Sequence, residues 1–148
     1  MEITYLGHSG FLVETSDACF LFDYIRGELP AFSKEKKLYV FASHAHHDHW
    51  DPRERNLERA INFKREIDRL KGLPIDVAFI PLDPRQEDAY RFCMDYCMET
   101  LDAKHVFPMH FWGNHKLCRT YQSSIKEEHP DWFVRFHPIR VEGEKFTI

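Results

Sequence analysis

The chain has 148 residues, 43% hydrophobic and 15% aromatic, which is enough apolar material for a core within one domain spanning 1–148, so disorder is not expected. Its formal charge of −4 has no basic block behind it, since Lys34-Glu35-Lys36-Lys37 and the 53–59 stretch interleave acids with bases; this excludes nucleic acid as an expected partner. No apolar run is long enough to span a bilayer, and Met1-Glu2-Ile3-Thr4-Tyr5 lacks the basic and apolar segments of a signal peptide, so the expectation is a cytoplasmic protein with no membrane partner.

Glu2–Leu6 reads as a strand and Gly7-His8-Ser9-Gly10 as a tight turn. Phe11–Glu14 and Cys19–Tyr24 follow as strands paired across Thr15-Ser16-Asp17. A looped segment with Gly27 and Pro30 leads to Leu38-Tyr39-Val40-Phe41-Ala42, an apolar run that reads as a buried strand. It ends in Ser43-His44-Ala45-His46-His47-Asp48-His49. On extended backbone His44, His46 and Asp48 point to one side and His47 to the other, and His49 rejoins the first set if the chain turns helical there. Imidazole nitrogens and carboxylate oxygens suit zinc, and iron or manganese accept them too. His44 and His46 converge on one ion, while Asp48 and His49 reach a second. Two such ions can hold and acidify a hydroxide. The competing reading is a solvated His-rich loop that binds metal adventitiously; the strand before it argues against that.

A helix is expected over Asn56–Leu70, with Ala60, Phe63, Ile67 and Leu70 as its apolar stripe and Gly72 and Pro74 ending it. Asp76–Leu82 is a strand. Asp83-Pro84-Arg85-Gln86 starts a helix running to about Leu101, which buries Tyr90, Cys93, Met94, Cys97, Met98 and Leu101. His105–His110 is a short strand ending in a histidine. Asn114 caps a helix to about Glu128 that Pro130 stops, and Trp132–Pro138 with Glu144–Ile148 form a closing hairpin. The four cysteines, Cys19, Cys93, Cys97 and Cys118, read as reduced thiols, and the Cys93/Cys97 spacing reads as core packing rather than a metal site.

Several residues carry two readings. Asp83 is a helix cap first and a ligand second. His8 either orients a ligand or contacts substrate, or is a turn histidine bonded to backbone. Trp50 and Trp112 follow candidate ligands and either wall a substrate pocket or pack on the sheet. Asp23 reads as an inward strand carboxylate supporting the histidine loop. His105, His115, His129 and His137 have no convergent spacing and default to the surface.

Gly7-His8-Ser9-Gly10-Phe11, Leu21-Phe22-Asp23, the His-x-His-x-Asp-His run and Pro108-Met109-His110-Phe111 together resemble the metallo-β-lactamase-fold hydrolases, nearest the ascorbate-phosphate-lactonase-like branch. The resemblance covers blocks 1–54 and 58–148. It implies an α/β fold, the αββα sandwich of that superfamily, reduced by an internal deletion. It assigns His44 and His46 to a first metal and Asp48, His49 and His110 to a second, with Asp48 as the catalytic carboxylate. Family members carry a further histidine and a bridging carboxylate at a Gly-Asp turn between the two blocks, and no Gly-Asp occurs in this chain. One occupied site, the second, is therefore expected, with zinc as one or two ions at most. The implied activity is a metal-dependent hydrolase that uses an activated hydroxide on an ester, lactone or phosphodiester of a small molecule. The alternatives are a non-catalytic metal-binding variant of the same fold and a metal scavenger. Loss of strands from the second half leaves the later sheet with an exposed edge, and a homodimer through that edge, or poor solubility, is the expectation.

Overall fold

The structure, a computed structural model, describes residues 1–24, 29–31, 35–41 and 63–148. The chain divides into two compact units, Met1–His47 with Ile139–Ile148, and Asp48–Pro138.

Among the described residues the first unit is built on a five-stranded sheet whose strands, from edge to edge, cover Lys37–Phe41 (β4), Ala18–Phe22 (β3), Gly10–Glu14 (β2), Glu2–Gly7 (β1) and Lys145–Thr147 (β7). β1 (Glu2–Gly7) and β2 (Gly10–Glu14) form the expected hairpin, and β2 pairs antiparallel with β3 (Ala18–Phe22). Thr15 closes the second turn: its Oγ1 accepts from the Ala18 N–H at 3.1 Å while its own N–H donates to the Ala18 carbonyl at 2.9 Å. The register puts Ile3, Tyr5, Phe11 and Val13 on one face, and Leu6, Leu12, Cys19 and Leu21 cluster on the other, all of them buried.

β4 (Lys37–Phe41) runs parallel to β3, which its apolar sequence allows. The expectation that it is buried is overturned: all five residues are exposed, Val40 to 67%. It lies at the sheet's edge, and among the described residues β3 is its one neighbour. Ring stacking holds it there instead of burial, with Phe20 on Tyr39 at 5.3 Å and Phe22 on Phe41 at 4.9 Å. At its entry, Lys36 Nζ donates to Glu14 Oε1 and to the Thr15 carbonyl, each at 2.7 Å.

The expected closing hairpin does not form. Pro130 opens a short helix, α4 (Pro130–Arg135), that buries Trp132, because a proline at the first helical position has no N–H to lose. The last strand, β7 (Lys145–Thr147), instead pairs antiparallel with β1, placing Phe146 opposite Ile3.

In the second unit residues 63–68 are helical (α1), and residues 56–62 of the expected helix lie outside the described ones. Leu70 is past the helix end and exposed. β5 (Ile75–Pro81) and β6 (Ala103–Met109) form a parallel pair joined through α2 (Phe92–Thr100), which packs on β5. The single helix expected from Asp83 to Leu101 is broken: a 3-10 segment over Pro84–Ala89, itself kinked at Glu87 (φ 49°), precedes α2. Met94, Cys97, Met98 and Leu101 are buried as the spacing predicts. Arg135 closes the carboxyl end of α2 by donating to the Met98, Leu101 and Ala103 carbonyls at 2.8, 3.0 and 3.2 Å. Asn114 caps α3 (His115–Glu128) by accepting from the Leu117 N–H at 3.2 Å, as read from sequence.

Candidate functional site

His44, His46, His47, Asp48, His49 and Trp50 lie outside the described residues. The two regions that carry the remaining site candidates are described, one in each unit.

In the first unit the strand register brings the end of β1, the start of β2 and the ends of β3 and β4 to one end of the sheet. The histidine run begins three residues beyond Phe41. Asp23 is not within a strand. It lies just past β3 with φ 44°, where pairing ends and the chain turns. Its N–H donates to the Phe41 carbonyl at 2.9 Å, so it supports the exit of β4 through backbone. The 7–10 turn packs closely behind it: a Cβ on Gly10 would sit 3.1 Å from the Gly7 carbonyl oxygen and 3.4 Å from that of Asp23. His8 occupies this turn at φ 54°, and its carbonyl accepts from the Tyr5 hydroxyl at 3.4 Å.

In the second unit β5 and β6 end side by side, Pro81 opposite Met109, and the Leu82 N–H continues the ladder to the Met109 carbonyl at 2.9 Å. Asp83 and His110 therefore leave neighbouring strands at their carboxyl ends, the end at which sites are built in parallel sheets. Asp83 is 3% exposed and serves as the expected cap, its Oδ1 accepting from the Arg85 N–H at 3.0 Å. The same carboxylate grips the Arg85 side chain, with Nε at 3.0 and 3.1 Å and Nη2 at 2.6 Å. The guanidinium carbon lies 4.4 Å from the centroid of the Trp112 ring, a cation–π stack. Trp112 is 47% exposed, so it is not packed inside the sheet.

Left-handed backbone occurs in each of the two regions. The described non-glycine residues with left-handed φ are His8, Asp23, Glu87, His110 and Trp112. All but Glu87 were singled out from sequence for the site. Such backbone costs about 1–3 kcal/mol per residue and persists where the surroundings impose it.

Sequence reading missed two features. Arg85 was read only as part of a helix start; its tie to Asp83 and Trp112 depends on where β6 ends, which spacing does not reveal. His105 and His137 meet, Nδ1 to Nε2, at 2.9 Å, and Phe107 stacks on the His137 ring at 4.7 Å. Burial, then the neighbouring His105, holds His137 below the usual histidine range. The two lie 32 residues apart, and no local pattern pairs them. Burial also pushes the Cys93 and Cys97 thiols up to about 11 and about 12, which fits their reading as core residues and not as nucleophiles.

Among the described residues no three His, Cys, Asp or Glu side chains converge as a metal site, and of the five candidate ligands only His110 is described. The donor set in the sequence, four imidazoles and a carboxylate, has the chemistry of a zinc-type site. No solved structure matches the chain. Residues 2–69 match the family model of the beta-lactamase superfamily domain, a stretch that includes the 7–10 turn, Asp23 and the whole histidine run and ends before β5; this supports a metallo-β-lactamase fold for that part.

Proposed function

We propose that the protein is a metal-dependent hydrolase of the ascorbate-phosphate-lactonase-like type, acting on an ester, lactone or phosphodiester of a small molecule. The observation that carries this is the His-x-His-x-Asp-His run within the family match over residues 2–69. His44 and His46 would hold a first ion, and Asp48, His49 and His110 a second. Such an ion, zinc by preference with iron or manganese as substitutes, supplies Lewis acidity and an acidified water. Asp48 would help to hold that second ion and partly offset its charge. The left-handed backbone at His110, directly after β6, supports its assignment as a ligand. Three protein ligands suffice for a catalytic zinc, so the second site is the one we assign to the working ion.

A second reading, a fold that binds metal without turnover, is favoured by one observation: no Gly-Asp occurs in the chain to supply a carboxylate between two ions. The two readings separate in one experiment. Metal-reconstituted protein is assayed on generic ester, lactone and phosphodiester substrates beside His46→Ala and His110→Ala, with bound metal measured by elemental analysis. About one ion per chain, with turnover lost in His110→Ala, supports the hydrolase. Metal uptake without turnover supports the binder, and no uptake removes both.

The four free cysteines support a cytoplasmic location. No described helix is long and apolar enough to cross a membrane. For assembly we propose a second copy of the chain paired along β4, supported by that strand's exposed apolar side chains.

A further inference from the structure

We draw no further inference here: the strongest candidate, the cavity of about 530 Å³ between the carboxyl end of α2 and α4, lined by Glu99, Asp102 and Asp131 beside the stacked His129 and Trp132 rings, is a cluster of carboxylates, and nothing among the described residues shows what it would hold.

Discussion

β4 and β6 each run into a histidine that the sequence singles out, and their apolar content is similar, yet their surroundings are opposite. Val106, Phe107 and Pro108 of β6 are buried, with α4 packed against the strand and Val106 bridged to Phe136. Leu38, Tyr39, Val40 and Phe41 of β4 are all more than 40% exposed. A run of hydrophobic residues thus reports that a strand is compatible with burial, not that anything covers it. Cover comes from elements elsewhere in the chain, and β6 has them: α4 follows it by fewer than thirty residues and returns to its edge.

Truncating one ring in each strand gives the largest contrast. Phe107→Ala removes a side chain with no exposure and should cost about 3–5 kcal/mol, read from the denaturant midpoint. Phe41→Ala removes a ring that is 46% exposed and held chiefly by its stack on Phe22, and should cost about 1 kcal/mol. Equal losses would mean that β4 is covered in solution. Next comes the link between the cover and the strand. Arg135→Ala strips a charged donor from three carbonyls at the α2–β6 junction and should cost about 2–3 kcal/mol, with Arg135→Lys recovering only part.

The His105–His137 pair gives a smaller, pH-dependent effect in the same region. Burial lowers the folded-state pKa of His137, so the unfolded chain takes up its proton first as pH falls. The stabilisation is therefore complete above the unfolded value of about 6.5 and is lost progressively below it. His137→Phe, which retains a ring against Phe107, should flatten that slope in melts recorded from neutral pH to pH 5. A slope of the same size in the variant would assign it to another group.

What sequence revealed divides along the same line. The 1–14 hairpin, the Asn114 cap and the Asp83 cap were legible because each is fixed by a few adjacent residues: a Gly-bounded turn with alternating apolar flanks, or a side chain that accepts from an N–H two or three residues on. His8, Asp23, His110 and Trp112 share a left-handed backbone that composition does not reveal. What was illegible is what depends on distant partners. β7 pairs with β1 across almost the whole chain, His137 finds His105, and Arg85 finds Trp112 only because β5 and β6 end together. The Trp132–Pro138 segment failed for a local reason: its apolar residues suit a strand, but Pro130 preorganises a helix start just before them.

The smallest effect on stability, and the most direct probe of an uncovered edge, is Val40→Lys. The Phe41 carbonyl is turned toward β3, where it accepts from the Asp23 N–H, so by alternation the peptide groups of Leu38 and Val40 are turned away from β3. Two copies of β4 pairing antiparallel about Tyr39 would set Leu38 of each opposite Val40 of the other, with both aromatic faces continuing across the join. Light scattering over a concentration series should then show a mass that rises toward the dimer in the parent and stays at the monomer in Val40→Lys. The folding stability of the variant should stay within about 0.5 kcal/mol of the parent, since a 67%-exposed side chain has little packing to lose. A parent that remains monomeric at the highest concentration sinks the paired-edge assembly.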